Sequence, residues 1–308
     1  MIIYIGKKCF YKLKDFRNRK IINIRNQNFS EFNRYIKFSK FSIVNGIFSD
    51  NINEKYDFFI TGSDQVWNLY DSGRSEVDFL TFASSEKKIS FSASMGVEKL
   101  PDNVIDQYKS FLKDFKSISV REESAKEIIQ TLTKRKDIEV LVDPTMLLTV
   151  KDWEKVSQKP NITYPPRYIL TYFLGGMNKR EEIIKRIAKK HSCEIIDIYN
   201  KNSNFYACGP QHFLYLEKNA YIICTDSFHS AVFAFLFNKP FIVFDRENTK
   251  MNMNSRIESF LSKFGLQQNR FGSKKYLDEY LHWDYSEGYQ ILEKEREKAK
   301  QFIDNALS

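Results

Sequence analysis

The sequence lacks the features that mark a secreted, membrane-spanning or zinc-binding protein. Its four cysteines, Cys9, Cys193, Cys208 and Cys224, are scattered and form no C-x-x-C pair, which argues against a zinc site and favours reduced thiols. No apolar run approaches the roughly 18 to 20 residues that span a bilayer. The start of the chain shows no long apolar region and no small-residue cleavage site, so we expect a cytoplasmic protein.

Several catalytic and nucleic-acid-binding signatures are also missing. The sequence contains no G-x-S-x-G, P-loop or G-x-G-x-x-G motif, and no D-x-D of the kind that holds a metal in many sugar transferases. The net charge of +9 is not accompanied by a helix-turn-helix, zinc-finger or RNP signature, so we interpret most of it as solvated surface. The sequence therefore predicts no bound metal, no cofactor and no nucleic-acid partner.

The hydrophobic pattern that is present indicates an α/β protein. Hydrophobic residues make up 42% of the 308 residues, which is enough for packed cores, and the length suggests about two domains. Short apolar runs alternate with amphipathic segments, as in parallel sheets covered on both faces. Buried strands are predicted over residues 56–61, 88–94, 117–120, 139–142, 168–174, 194–199, 221–224 and 241–244. Shorter strands are predicted at Ile2–Tyr4 and Ile21–Ile24, and a helix at 29–38.

A segment rich in proline, residues 159–166, divides the pattern into two halves. We predict a first domain over residues 1–158 and a second over 167–286. A charged helix over 287–308 is expected to pack back on the first domain. The predicted fold class is α/β, with two Rossmann-like domains facing a cleft.

Polar residues follow the predicted strands, where open α/β sheets bind ligands. Asp226, Ser227 and His229 lie between a strand and a helix, whose N-terminal N–H groups and dipole favour a phosphate or carboxylate. The alternative is an N-cap with an incidental histidine. Arg121 directly follows another strand, where it either binds an anion in bidentate fashion or pairs with Glu122 or Glu123.

Taken together, these residues resemble the polysaccharide pyruvyl transferase family. The resemblance lies in five segments that occur in the order and spacing of the family, across roughly residues 55 to 265. They are YDFFITGSDQVWN (56–68), KISFSASMG (88–96), SISVREESAKEII (117–129), VDPTMLL (142–148) and YIICTDSFHSAVFAFLFNKPFIVFDR (221–246). In this chain the first strand, loop and helix of the family are expected to be shortened or replaced.

The resemblance implies a glycosyltransferase-B-like fold and transfer of the pyruvyl group of phosphoenolpyruvate to two hydroxyls of a sugar, giving a cyclic ketal. The sugar belongs to a cell-surface polysaccharide or its precursor, and a lipid-linked acceptor would place the protein at the inner face of the inner membrane. The implied catalytic residues are His229, as acid or phosphate ligand, and Arg121, which is expected to contact the anionic groups of the donor. The implied donor-binding residues are Asp226, Ser227 and one basic residue past the following strand, for which Arg246 and Lys250 both qualify. The implied acceptor-binding residues are Ser63, Asp64, Gln65 and Ser94.

Two other functions are compatible with the same pattern. A nucleotide-sugar glycosyltransferase of this fold would need a carboxylate for ribose or base contacts in the second domain, and the sequence offers no clear candidate. A non-catalytic glycan-binding or scaffold protein would not need to retain both Arg121 and His229.

Overall fold

The computed structural model describes residues 19–39, 43–44, 47–48, 52–70, 75–177, 180–246 and 255–308. It confirms the α/β class, with two parallel sheets of four strands each. The chain divides into two compact units. The Arg121 unit comprises the described residues within 39–148, 249–266 and 286–308, and the His229 unit those within 1–38, 149–248 and 267–285. Both units combine separated segments of the chain.

The sheet of the Arg121 unit has the strand order β3-β4-β5-β6, with every neighbouring pair parallel. Its strands are β3 (Phe59–Thr61), β4 (Lys88–Ala93), β5 (Ser117–Val120) and β6 (Glu139–Val140). A separate antiparallel pair is formed by β1 (Ile43–Val44) and β2 (Ile47–Phe48). The helices of this unit are α2 (Ile105–Leu112), α3 (Glu123–Thr133), α8 (Ser255–Lys263) and α9 (Ser286–Leu307).

Helices cover this sheet on both faces, as its apolar strands require. One face packs against α2 and α3 in a core that includes Trp67, Tyr108 and Ile129. The opposite face packs Ile89 and Phe91 against α9. Between Ser90 and Ala93 the register shifts, Ser92 adopts a positive φ of 49°, and Ala93 joins the α2–α3 core. The irregularity thus redirects the end of β4 just before the polar edge of the sheet.

The sheet of the His229 unit has the strand order β10-β9-β7-β8, again all parallel. Its strands are β7 (Tyr168–Tyr172), β8 (Glu194–Asp197), β9 (Ile222–Thr225) and β10 (Phe241–Val243). Its helices are α1 (residues 19–32), α4 (Val150–Val156), α5 (Arg180–His191), α6 (Pro210–Asn219) and α7 (Phe228–Leu236). In this order β8 lies on one side of β7, whereas β9 and then β10 lie on its other side. The crevice between β7 and β9 is therefore a topological switch point, where such sheets bind ligands.

The N-terminal predictions were partly wrong. Ile21–Ile24, predicted as a strand, lies within α1, and the helix predicted over 29–38 ends at residue 32 before a 3₁₀ turn at Asn33–Tyr35. Ile21, Arg25 and Asn28 recur at helical spacing on the side that packs inward. Arg25 donates to the carbonyls of Tyr206 and Cys208, and Asn28 to that of Ala207. The strand predicted at Ile2–Tyr4 lies outside the described residues.

Within the described ranges, no helix combines the length and the apolar character needed to cross a membrane. In the same ranges, no three His, Cys, Asp or Glu side chains group together as a metal site would require.

Candidate functional site

In the His229 unit, Asp226 joins the loops that follow β7 and β9. Its carboxylate is buried and accepts hydrogen bonds from the backbone N–H groups of Leu174 (2.7 Å) and Gly175 (3.0 Å). The Nη1 atom of Arg180 lies 2.9 Å from the same carboxylate. These hydrogen-bond donors occupy both oxygens of Asp226. The carboxylate is therefore better suited to hold the loop after β7 than to contact an anionic substrate directly.

Arg180 is a functional candidate that the sequence analysis missed. Its side chain is buried, with the guanidinium 4.7 Å from the centroid of the Phe173 ring. Besides Asp226, it donates to the carbonyl of Gly176 at 3.1 Å and to that of Asp245. The sequence gives little indication of a role for Arg180, because an arginine at the start of a charged helix usually lies in solvent. Only the glycine pair at 175–176 before it hinted at a ligand-binding loop.

Ser227 and His229 lie at the start of α7. Ser227 is the N-cap residue, and its backbone N–H donates to Oγ1 of Thr225 at 2.9 Å. His229 is half-buried, and its ring meets that of Phe228 edge to face at 5.2 Å. At this end of a helix, the N–H groups of the first turn and the helix dipole favour negative charge. An anion held there would lie beside an imidazole.

Arg246 follows β10 and approaches Asp226 from another direction. Its Nη2 donates to the backbone carbonyl of Asp226 at 3.1 Å, and its Nε lies 3.9 Å from the carboxylate. The structure therefore brings Asp226, Ser227, His229 and Arg246 to one edge of the sheet, together with Arg180. Lys250, the other predicted basic residue, lies outside the described residues.

In the Arg121 unit, the loop after β3 is anchored by Trp67. This side chain is fully buried, stacks on Phe79 at a centroid distance of 5.6 Å, and donates from Nε1 to the carbonyl of Asp78. The loop begins at Gly62, whose φ is 152°, and a Cβ there would lie 2.0 Å from the carbonyl oxygen of Phe91. Only glycine allows this approach, so the loop carrying Ser63, Asp64 and Gln65 is fixed at the polar end of the sheet.

Arg121 is buried at the end of β5 and contacts three carboxylates. Its Nε lies 3.2 Å from Glu122, its Nη1 2.5 Å from Asp143, and its Nη2 2.6 Å from Asp64. Burial alone would lower the pKa of Arg121, but these three carboxylates together raise that pKa above its ordinary value. The pairing with Glu122 that the sequence offered as one alternative is therefore present, within a larger network.

A second guanidinium, that of Arg256 in α8, completes this network. Its Nη1 lies 2.6 Å from the same Asp64 oxygen that Arg121 contacts. Rotation of the Gln65 amide by 180° would also let the Gln65 oxygen accept from Nη2 of Arg256 at 2.6 Å. Two cations thus face three carboxylates. Of these, Asp64 is exposed on 43% of its side chain, whereas Glu122 and Asp143 are almost fully buried. Asp64 is therefore the carboxylate that a ligand could reach.

Ser63 and Ser94 support this network from inside. Ser63 donates to Asp143 at 2.8 Å, and Ser94 donates to Glu122 at 2.5 Å. Ser94 is fully buried. Its hydroxyl therefore donates to Glu122 and is not accessible to a sugar. Asp64 and Gln65, by contrast, lie at the accessible edge of the sheet.

A cavity of about 610 Å³ lies beside Arg121, between the start of α3 and α8. Polar side chains dominate its lining, which includes Glu98, Glu123, Ser124, Glu258, Ser262 and Lys263. Carboxylates and hydroxyls are the groups that bind the hydroxyls of a sugar through hydrogen bonds. The cavity is large enough for a small ligand of that kind.

Comparison with known proteins assigns the chain to a family. The family model for polysaccharide pyruvyl transferase matches residues 4–248, well over half of the chain and including the loops that carry Arg121 and His229. No curated protein matches the sequence. The chain belongs to the polysaccharide pyruvyl transferase family.

Proposed function

We propose that this protein transfers the pyruvyl group of phosphoenolpyruvate to two hydroxyls of one sugar and forms a cyclic ketal. The observation that carries the proposal is the family match over residues 4–248. In the reaction, the methylene carbon of the donor takes up a proton and C2 becomes an oxocarbenium ion. One sugar hydroxyl then adds to C2 and loses its proton, and the bond from C2 to the phosphate oxygen breaks with release of phosphate. The second hydroxyl adds to C2 and loses its proton, which closes the ketal. One of the two released protons replaces the proton taken up by the methylene carbon, and the other leaves with the phosphate.

We place the donor at the start of α7 in the His229 unit. The helix N-terminus and Arg246 supply positive charge for its phosphate and carboxylate. His229 is the proposed proton donor to the methylene carbon, because an imidazole can give and take protons near neutral pH. Arg180 and Asp226 form a buried ion pair that holds the loops after β7 and β9 in place. We assign both of them to positioning.

For Arg121 we propose a role that differs from the donor contact implied by the family resemblance. All three of its outer nitrogens already meet carboxylates, and the local balance is two cations against three anions. Such a site does not attract a phosphate. Arg121 instead acts as a positioning residue that holds Asp64, and Asp64 with Gln65 meets the hydroxyls of the sugar.

The two α/β units agree with a fold of the glycosyltransferase-B type, which we propose together with the activity. The acceptor is proposed to be a unit of a cell-surface polysaccharide or of its lipid-linked precursor. A cytoplasmic location follows as part of the same proposal.

The decisive experiment is incubation of the full chain with phosphoenolpyruvate and a panel of lipid-linked or aryl glycosides. We expect a product whose mass increases by one pyruvyl ketal, with release of one phosphate. Phosphate release without a ketal product, or no consumption of phosphoenolpyruvate across the panel, would contradict the assigned reaction.

A thermal-shift comparison separates this activity from nucleotide-sugar transfer. A ligand at a hundredfold excess over its Kd stabilises the folded state by about 2.7 kcal/mol. We expect phosphoenolpyruvate to raise the melting temperature and UDP-sugars to leave it unchanged. The reverse pattern would favour the glycosyltransferase alternative.

A further inference from the structure

Exposed apolar side chains are concentrated near the start of the described chain. Sixteen large hydrophobic residues of the described part are exposed, and six of them fall within residues 19–39. These six are Ile22, Ile24, Phe29, Tyr35, Ile36 and Phe38. The inner side of α1 is already used, because Ile21 is buried and Arg25 and Asn28 bond to the 206–208 backbone. Phe29 also contacts the Arg25 guanidinium, which lies 4.7 Å from its ring centroid, yet each of the six residues remains at least 38% exposed.

The segment Arg34–Phe38, which we call the basic–apolar segment, is the most exposed part of this region. Every residue from 33 to 39 is exposed, and Phe38 is 71% exposed, the highest value among the large hydrophobic side chains described. The chain leaves helical geometry at Ile36, whose φ and ψ of −102° and 128° are extended. Apolar surface of this kind is unfavourable in water and marks a site of interaction when it is contiguous.

Positive charge alternates with the apolar side chains of this segment. Arg34 and Lys37 flank Tyr35 and Ile36, and Phe38 follows Lys37. Arg19 and Lys20 lie exposed at the other end of α1. Glu31 is the single acidic residue between 19 and 39. Interleaved basic, aromatic and aliphatic residues suit the boundary of an anionic bilayer, where cations meet lipid phosphates and the rings enter the headgroup region.

We propose that residues 19–38 dock this protein on the surface of an anionic phospholipid membrane, with the basic–apolar segment as the main contact. A second copy of the chain is a poorer occupant. A symmetric dimer through this face would set each cationic patch against its own copy, and like charges opposed at an interface are repulsive. The proposal concerns attachment only and does not depend on the proposed pyruvyl transfer.

The test is co-sedimentation of the full chain with vesicles of phosphatidylglycerol and phosphatidylcholine, against vesicles of phosphatidylcholine alone. The test variant is Lys37→Gln with Phe38→Ser, which removes one cation and one ring from the segment. The matched control is Lys275→Gln with Tyr276→Ser. It removes the same kinds of group from another exposed site, where the ammonium lies 5.2 Å from the ring centroid.

We expect the natural protein and the control to sediment with the anionic vesicles only, and this binding to weaken as salt is raised. The test variant should bind the anionic vesicles at least about tenfold more weakly. Loss of one cation near an anionic surface alone lowers the affinity about fivefold, and loss of the Phe38 ring lowers it further. Three outcomes would overturn the proposal: no binding of the natural protein, equal loss in the control, or a concentration-dependent dimer that the test variant converts to a monomer.

Discussion

Replacement of Arg121 by lysine separates a structural role of this residue from direct contact with the donor. The guanidinium makes three charge-assisted contacts, to Glu122, Asp143 and Asp64. An ammonium keeps the positive charge but is a compact group that cannot span the three positions of the planar fork. We therefore expect the Lys variant to retain one contact and to lose two.

The magnitude follows from the burial of these partners. A hydrogen bond to a charged group contributes about 1.5 to 3 kcal/mol. Asp64 is half-exposed and keeps its contact with Arg256, so its loss costs little, whereas Glu122 and Asp143 are buried and have no access to water. Arg121→Lys should therefore lower the free energy of unfolding by roughly 3 kcal/mol.

Arg135→Lys is the matched control for this substitution. Arg135 also contacts an aspartate through two nitrogens and donates to backbone carbonyls, but the Asp137 side chain is 61% exposed. Water can replace a contact to an exposed carboxylate, so we expect a loss of about 1 kcal/mol or less. The two variants thus differ in the burial and in the number of the carboxylates that the arginine contacts.

Urea unfolding followed by the fluorescence of Trp67 is the assay. Trp67 lies in the core of the Arg121 unit, and replacing Trp153 and Trp283 by phenylalanine makes it the sole tryptophan. A change in the urea concentration at the unfolding midpoint, with no change in how steeply the free energy of unfolding falls with urea, measures a change in stability. Equal stability of the two lysine variants, combined with a raised KM for phosphoenolpyruvate in Arg121→Lys, would refute the positioning role and restore the donor contact.

Three further predictions concern the His229 unit and the chemistry. Burial raises the pKa of Glu217 well above its ordinary 4.5, and its Oε2 has no hydrogen-bond partner among the described residues. Folding therefore takes up a proton above pH about 4.5, and stability falls as pH rises toward the raised pKa. In unfolding titrations at several pH values, Glu217→Gln should remove that slope; an unchanged slope would show that Glu217 is ionised in the folded protein. His229→Ala should reduce turnover by about 10² to 10⁴-fold with an unchanged melting temperature, and near-normal turnover would exclude it as the proton donor. EDTA should leave activity unchanged, since the sequence has no D-x-D motif; a loss that Mg²⁺ or Mn²⁺ restores would contradict this.

Local pattern alone was sufficient for most of the secondary structure. Each of the eight main predicted strands overlaps an observed strand, and the strand at 117–120 has the predicted bounds. The loop holding Asp226, Ser227 and His229 was correctly placed between a buried strand and a helix. These features depend on hydrophobic periodicity and turn residues within a few positions, so they can be read from neighbouring residues. The exception at Ile21–Ile24 arose because a short apolar run fits a helix as well as a strand.

The partners of the site residues depended on the tertiary structure. Arg180 meets Asp226 across 46 positions of sequence, and Arg256 meets Asp64 across 192. No local pattern specifies such pairs, because they depend on which strand ends become neighbours in the sheet. The same holds for Ser94, which was predicted to bind the acceptor. The register shift in β4 and the carboxylate of Glu122 enclose it.

The sequence by itself thus determined the family, the α/β class and the loops in which chemistry is expected. The tertiary structure decided which polar side chains in those loops hold one another and which remain accessible. The physical reason is that a buried charge must be paired at short range, and the pairing partner is supplied by whichever distant segment packs beside it. For Arg121 that requirement brought together three carboxylates from separate loops, and this arrangement supports the positioning role that we propose for it.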